Sequence, residues 1–140
     1  MSRKLRVLIS KVGLDGHDVG ARVVARGLVE AGMEVIYTGI RRTPEQVVRM
    51  AIEEDVDVVG VSILSGAHTV LLPRIRALLN EAGAENIVII AGGVIPHDDI
   101  ADLYRNGVAK VFRSGTCLSE VVGFLESSVN RDTARSTDQP

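Results

Sequence analysis

The sequence predicts a doubly wound α/β domain, in which a five-stranded parallel sheet carries helices on both faces. Short runs rich in Val and Ile alternate five times with longer segments whose apolar residues recur at helical spacing. Several of these runs are continuously apolar, as strands buried on both faces of a parallel sheet are. Parallel strands joined by helices need right-handed crossovers, and five such units most often take the order 2-1-3-4-5. The predicted architecture is therefore Rossmann-type and flavodoxin-like.

The candidate strands are five short apolar runs, at residues 6–10, 34–38, 58–62, 87–91 and 110–112. The first, third and fourth are the most continuously apolar, which favours central positions in the sheet. The second and fifth are shorter or more polar. We expect them to be the two edge strands.

Apolar stripes identify the helices between these strands. Three of them place apolar residues at i, i+3, i+4 and i+7, namely Ala21, Val24, Ala25 and Leu28, then Ile75, Leu78, Leu79 and Ala82, and then Leu118, Val121, Val122 and Leu125. Glycines at 32, 83 and 107 mark helix ends, because Gly accepts the left-handed conformation at low cost.

The helix starts carry their own signals. Thr43, Pro44 and Gln46 form a capping box with Pro in the first turn, which is the clearest start in the chain. The segment His97-Asp98-Asp99 is interpreted as the cap of the fourth helix.

Length and composition limit the classes of function. A chain of 140 residues with 46% hydrophobic residues supports one full core. The predicted domain spans residues 4–129, and residues 130–140, which lack apolar content, are expected to form a disordered tail. A net charge of -2 and 3% aromatic residues give neither a basic surface nor a stacking platform, so nucleic acid is not an expected partner.

The cysteine content and the hydropathy pattern indicate the compartment. The chain has one cysteine, Cys117, which rules out an internal disulfide and fits a reducing environment. The basic start is followed by an apolar run too short for a signal peptide, and no stretch approaches the roughly 18 apolar residues of a membrane span. We therefore expect a cytoplasmic protein without a membrane partner.

Four loops are predicted to meet at one edge of the sheet. They follow strands one, three, four and five, at residues 11–20, 64–69, 92–98 and 113–118, and all are rich in Gly, Ser or Thr. Carboxyl ends of parallel strands share an edge, where doubly wound sheets hold their ligands. A large ligand lying across this edge explains the composition better than four separate tight turns.

The first of these loops contains an unusual pair, Asp15 and His17. From the residues alone the pair suggests a general base, a metal ligand or a plain turn. A carboxylate that holds one ring nitrogen leaves the other nitrogen free, as in metal-bound histidines. No second and third ligand accompany His17 at metalloenzyme spacing, so a bare zinc site is not expected.

Three motifs together resemble the signature of cobalamin-binding domains that hold the cofactor with its own base displaced by a histidine. They are Asp15-x-His17-x-x-Gly20, Ser62-x-Leu64 and Gly92-Gly93. The resemblance covers roughly residues 4–129. It is strongest to the small subunit, or C-terminal domain, of adenosylcobalamin-dependent acyl-CoA mutases of the methylmalonyl-CoA mutase type, in which Lys-x-Gly-x-Asp-Gly-His-Asp and Gly-Gly-x-Ile-Pro recur.

The resemblance implies a role for each matching residue. His17 would be the lower axial ligand of cobalt, with Asp15 on its other nitrogen and Lys11 beside that carboxylate. Ser62 and Leu64 would contact the displaced nucleotide tail in a slot between strands one and three. The full set of implied cofactor-binding residues is Asp15, Gly16, His17, Asp18, Val19, Gly20, Ser62, Leu64, Gly66, Gly92, Gly93, Val94, Gly115 and Thr116.

Two positions depart from the family pattern. Val19 stands where Arg is usual, which removes a charged contact. Arg113-Ser114 replaces a usual Gly-Pro before Gly115-Thr116, in the loop near the tail. The sequence does not choose between methylmalonyl-CoA, isobutyryl-CoA and 2-hydroxyisobutyryl-CoA as substrate types.

The implied protein is the adenosylcobalamin-binding subunit of a heteromeric acyl-CoA mutase, a carbon-skeleton isomerase. It would be active only with a large subunit whose TIM barrel binds the acyl-CoA. The alternatives are the small subunit of a glutamate-mutase-like enzyme and a non-enzymatic cobalamin carrier or sensor. A receiver domain shares the predicted fold, but Ser62 and Phe112-Arg113 occupy the positions of its acidic and lysine residues.

Overall fold

The computed structural model describes residues 4–11, 19–38, 42–63, 68–93, 95–113 and 116–129. In these ranges the chain forms five strands and five helices that alternate. The strands are β1 (Arg6–Lys11), β2 (Glu34–Tyr37), β3 (Val58–Ile63), β4 (Val88–Gly93) and β5 (Lys110–Arg113). The helices are α1 (Val19–Glu30), α2 (Pro44–Glu53), α3 (His68–Glu81), α4 (His97–Arg105) and α5 (Leu118–Ser128).

The strands form one parallel sheet in the order β2-β1-β3-β4-β5, as the sequence predicts. The edge strands β2 and β5 have four residues each, whereas β1, β3 and β4 have six. Each central strand extends at least one residue past the predicted carboxyl end. Lys11 and the pair Gly92-Gly93 therefore belong to strands and not to the loops that follow them.

Two apolar layers cover the sheet. The first packs side chains of α2, α3 and α4 on one face, with Leu72, Ile75 and Leu103 fully buried. The second packs α1 and α5 on the other face, around Leu28 and Leu125. Both faces are thus covered, which explains why the central strands read as continuous apolar runs.

Most helix ends follow the predicted turn chemistry. Thr43 Oγ1 accepts a hydrogen bond from Gln46 N at 3.1 Å, and Gln46 Oε1 accepts one from Thr43 N at 3.0 Å, which completes the capping box. Glycines 32, 83 and 107 have φ angles of 94°, 78° and 94°. The end of α2 was not predicted, and there Asp55 takes the left-handed conformation with a φ of 53°.

The predicted cap of α4 is wrong. Pro96 occupies the N-cap position, and no side chain makes a capping hydrogen bond there. His97, Asp98 and Asp99 are instead the first three helical residues. The two carboxylates still favour the positive end of the helix dipole, which accounts for acidic residues at this place.

Hydrogen bonds from Arg6 and Arg76 connect strands and helices at the amino edge of the sheet. Arg6 donates from Nη1 to Glu34 Oε2 at 2.6 Å and from Nε to the carbonyl of Glu54 at 2.9 Å, and its backbone N donates to the buried Asp57 Oδ2 at 3.0 Å. Arg76 extends from α3 to the segment before β4 and donates to the carbonyls of Ile87 at 2.8 Å, and of Ala84 and Glu85 at 3.3 Å.

None of the helices in the described ranges has the length and apolar character that a bilayer crossing needs.

Candidate functional site

The carboxyl ends of the central strands bring two of the three predicted motifs together. Ser62 on β3 lies in register with Lys11 on β1 and with Gly92 on β4. Gly92 in turn lies in register with Phe112 on β5. Neighbouring strands are about 4.8 Å apart, so these four positions form one row across the carboxyl edge. Sequence spacing alone predicted that Ser62 and Gly92 share this edge, and their direct pairing is a finding of the structure.

Ser62 projects toward the layer beneath α1 and α5. Gly60, two residues earlier on β3, faces that layer, because a Cβ added to it would lie 2.8 Å from Ile9 Cδ1 and 3.5 Å from Ile90 Cγ1. Side chains alternate along a strand, so residues 60 and 62 share a face. Ser62 is half-buried and carries the hydroxyl at the outer end of this face.

The two glycines that end β4 have different physical roles. Gly93 has a φ of 123°, which L side chains rarely adopt, so its conformation requires glycine. Gly92 has ordinary backbone angles, and a Cβ there would meet its nearest heavy atom, the carbonyl oxygen of Phe112, at 3.4 Å. Packing against the described residues alone therefore does not demand glycine at 92. Its small size leaves room beside Ser62 for a group that approaches the backbone.

The turn after β5 is closed by Thr116. Its Oγ1 donates to the carbonyl oxygen of Arg113 at 2.6 Å, and its backbone N donates to the same oxygen at 3.0 Å. Since the hydroxyl proton is used in this bond, the Thr116 oxygen can act toward a ligand only as an acceptor. These two bonds hold Thr116 beside the carbonyl oxygen of the last residue of β5.

Two buried hydroxyl side chains form a hydrogen bond between β1 and the residue that follows β2. Thr38 Oγ1 donates to Ser10 Oγ at 3.0 Å, and both side chains are buried. Arg42 Nε donates to the carbonyl oxygen of Thr38 at 2.7 Å. These bonds join the carboxyl ends of β1 and β2, and they hold the strand from which the first loop departs.

Several predicted site residues lie outside the described residues. They are Asp15, Gly16, His17, Asp18, Leu64, Gly66, Val94 and Gly115. Their roles stay predictions. Val19 and Gly20 are the first two residues of α1 and not part of a loop, so the loop after β1 is shorter than predicted. Within the described ranges, no group of three or more His, Cys, Asp or Glu side chains is placed to hold a metal ion.

The sequence reasoning does not identify the role of one buried glycine in α1. Gly27 is buried in α1, and a Cβ added to it would lie 1.9 Å from Leu118 Cδ2 of α5. Glycine within an apolar helical pattern costs about 1 kcal/mol relative to Ala, which usually indicates a packing reason. That signal was present in the sequence, but the partner residue could not be identified from it.

A comparison with known protein families identifies the family of the domain. The B12-binding domain family matches residues 5–122. The chain belongs to the B12-binding domain family. The motifs at the ends of β1, β3 and β4 fall within the matched region, and the resemblance inferred from them is confirmed.

Two full-length relatives of this B12-binding domain are small subunits of mutases. The chain is 50% identical over 131 residues to the 2-hydroxyisobutanoyl-CoA mutase small subunit of Aquincola tertiaricarbonis, covering 94% of this chain and 96% of the relative. It is 41% identical over 137 residues to the pivalyl-CoA mutase small subunit of Xanthobacter autotrophicus, covering 98% and 92%.

A solved structure supports the fold. A cobalamin-binding protein from Desulfitobacterium hafniense superposes with a TM-score of 0.75 at 22% identity. The match covers 89% of this B12-binding domain and 59% of that chain.

The described part of the edge fits the nucleotide tail of cobalamin. The tail combines a flat apolar base with a sugar phosphate, and such a group needs an open strip of backbone with a few polar contacts. Among the described residues, only the carbonyl oxygen of Phe112 lies within 4 Å of the place of a Gly92 Cβ, and Ser62 and Thr116 carry hydroxyl oxygens at the two sides. Below them the layer is closed by apolar side chains, among them Ile9 and Ile90.

Proposed function

We propose that this chain is the cobalamin-binding subunit of a heteromeric acyl-CoA mutase, an isomerase that rearranges carbon skeletons. The observation that carries the proposal is the pairing of Ser62 with Gly92 at the carboxyl edge, in a chain whose full-length relatives are named mutase small subunits. The substrate class follows from the names of those relatives. The particular acyl group is left to the large subunit, which would contain the substrate pocket.

The loop after β1 would supply the cobalt ligand. His17 is proposed as the lower axial ligand, with Asp15 accepting from its second ring nitrogen and Lys11 near that carboxylate. A single histidine is sufficient because the corrin ring fills the equatorial positions of the metal. The Asp15 hydrogen bond would fix the tautomer and orient the ring, as carboxylates do for metal-bound histidines.

The displaced nucleotide tail would enter a slot between β1 and β3, on the sheet face that α1 and α5 cover. This slot, bordered by Ser62 and Gly92, is hereafter called the tail slot. Ser62 would hydrogen-bond the benzimidazole, and Leu64 would pack beside it. Gly92 and Gly93 would let the tail approach the backbone. Gly115 and Thr116 would border its outer end, with Thr116 accepting a hydrogen bond.

The cofactor is proposed to be adenosylcobalamin, which when bound would supply the radical chemistry of the rearrangement. The residues of this chain would ligate it, orient it and exclude water from one side. A large subunit with a TIM barrel would cover the other side and bind the acyl-CoA. This subunit alone should therefore bind cobalamin without turnover, and a cytoplasmic location is proposed with it.

Electron paramagnetic resonance of the bound cob(II)alamin tests the ligation. Protein labelled with ¹⁵N-histidine should split each cobalt line into a doublet, whereas ligation by the unlabelled benzimidazole gives a triplet. His17→Ala should lose the doublet and weaken binding by at least about tenfold. His97→Ala removes an exposed histidine of α4 and should behave as the parent protein. A triplet in the labelled parent would overturn the ligation by His17.

Reconstitution with a large mutase subunit tests the assembly. The two subunits should co-elute in the presence of adenosylcobalamin and interconvert at least one branched and linear acyl-CoA pair. Tight cobalamin binding without activity against a panel of acyl-CoA esters and large subunits would favour a cobalamin carrier instead.

A further inference from the structure

A close contact joins α1 to the first residue of α5. Gly27 is buried on the side of α1 that faces α5, and the side chain of Leu118 occupies the place where a Cβ of residue 27 would be. The added Cβ would lie 1.9 Å from Leu118 Cδ2, 2.9 Å from Cδ1 and 2.8 Å from Cγ. Non-bonded carbon atoms do not approach within 3.0 Å of each other, so a side chain at position 27 must displace Leu118.

A rotation of the Leu118 methyl groups would not relieve this clash. Turning about the Cβ–Cγ bond moves both Cδ atoms but leaves Cγ in place, 2.8 Å from the new carbon. The whole isobutyl group of Leu118 would have to leave the space beside Gly27, or α5 would have to move away from α1. Overpacking of this kind is accommodated by side-chain and backbone shifts.

The position of Leu118 is linked directly to the tail slot. Leu118 follows Thr116 by two residues, and Thr116 closes the turn after β5 through its two bonds to the Arg113 carbonyl oxygen. The helices α1 and α5 also form the cover of the sheet face on which Ser62 and Gly92 lie. A displacement of Leu118 that includes its backbone therefore moves Thr116 at the border of the slot, and a retreat of α5 from α1 changes the separation between the cover and the sheet.

We infer that Gly27 is a positioning residue for the nucleotide tail of the cofactor. By accepting the Leu118 side chain, it sets how closely α5 approaches α1 and where Thr116 lies beside the end of β5. The inference rests on the proposed cobalamin function and adds a residue that lies outside all three motifs. It acts on the tail through Leu118, which lies two residues after Thr116 at the border of the slot.

A comparison of two ligands tests the inference. Cobinamide has the corrin ring and cobalt of cobalamin but lacks the nucleotide tail. The parent protein should bind cobalamin more tightly than cobinamide. Gly27→Ala should weaken cobalamin binding by about tenfold, the effect of a moderate overpacking, and leave cobinamide binding within about twofold.

Two further variants complete the design. Gly123→Ala places a methyl group on α5 where, outside the helix's own backbone, no heavy atom of the described residues lies within 4 Å, so it should leave both affinities unchanged. Gly27→Ala combined with Leu118→Ala removes the clashing side chain and should restore the preference for cobalamin. If Gly27→Ala alone does not fold, the double variant decides, because relief of the clash should restore both folding and the preference.

The outcomes separate the two proposals. A parent protein that binds neither ligand would overturn the proposed function. A parent that prefers cobalamin together with a Gly27→Ala variant of equal preference would overturn the inference alone. Equal losses for both ligands, or a double variant no better than the single one, would also overturn it, since a general structural defect does not depend on the tail.

Discussion

The two edges of the sheet are built from different kinds of residue. At the amino edge, Arg6 and Arg76 donate charged hydrogen bonds to carboxylates and to carbonyl oxygens between strands and helices. At the carboxyl edge, the described strand ends carry Ser62, Gly92 and Gly93, whose side chains are small or absent. One edge is closed by its own side chains, and the other leaves its backbone accessible.

This difference separates stability from binding. Bonds from arginine to carbonyl groups stabilise the folded chain, and one of those from Arg76 goes to the carbonyl oxygen of the buried residue Ile87. Small residues at the other edge contribute little packing and leave space for a ligand. Substitutions at the amino edge should therefore lower the free energy of unfolding without changing the affinity of the folded protein for cobalamin. Substitutions at Ser62 and Gly92 on the carboxyl edge should do the reverse.

The largest effect is expected at Arg76. Arg76→Ala removes the donor of three carbonyl groups and should lower the free energy of unfolding by about 2–3 kcal/mol, or the melting temperature by about 10 °C. Burial lowers the pKa of this guanidinium, yet it stays protonated at neutral pH. Arg76→Lys keeps the charge without the fork of donors and should recover only part of the loss. A lower cobalamin affinity of the folded Arg76→Ala protein would contradict the assignment of stability to the amino edge and of binding to the carboxyl edge.

The next effect is expected at Asp15. Asp15→Asn should weaken the ligation by His17 and lower cobalamin affinity by about 10-fold to 100-fold, as the loss of a carboxylate beside a metal-bound histidine does. The melting temperature without cofactor should not change. Asp98→Asn, which removes an exposed carboxylate from α4, serves as the control in the same spectroscopic titration. Equal affinities of the Asp15→Asn and parent proteins would contradict the assigned role.

A smaller effect is expected at Ser62. Ser62→Ala removes one hydrogen bond, worth about 1 kcal/mol or a factor of about five in affinity. The loss should affect cobalamin and not cobinamide, because the bond is proposed to reach the nucleotide tail. Ser127→Ala, which removes a hydroxyl bonded within α5 at the other end of the helix, is the matched control. A loss shared by both ligands would place Ser62 elsewhere in the site.

The smallest effect is expected for an exposed ion pair. Arg74 donates two hydrogen bonds to Glu45 Oε2, which lower the pKa of this carboxyl below its ordinary value of 4.5. A lowered pKa in the folded state stabilises the protein above the ordinary value, and the contribution disappears as the pH falls through the folded value. Denaturation of the parent and Glu45→Gln proteins should differ slightly at neutral pH and coincide in strong acid. A difference that persists in acid would assign it to a contact other than the charge.

The order of the strands was predictable because each element carried its own local signal. Apolar continuity identified β1, β3 and β4 as central strands, and the capping box identified the start of α2. The strand ends were less predictable. Glycine is unfavourable in strands, so the sequence predicts that Gly92-Gly93 belongs to a loop. Pairing with β3 and β5 nevertheless holds both residues in the sheet.

The contacts that depend on distant parts of the chain were not predictable. Arg76 reaches the segment before β4 only because α3 packs back across the sheet, and Gly27 meets Leu118 only because α1 and α5 cover the same face. The position of Pro96 at the start of α4 was missed because the acidic residues after it suit a helix start equally well in sequence. Motif spacing predicted which residues share an edge, and the register paired Ser62 with Gly92.

The short outer strands have a consequence for self-association. β2 and β5 each offer only four residues along the sides of the sheet, and β2 begins with Glu34, whose carboxylate is held by Arg6. Short borders with charged residues are poor templates for the addition of another strand. Lateral growth into fibrils is thereby disfavoured even though the sheet is rich in Val and Ile, and concentrated protein should remain free of cross-β aggregates.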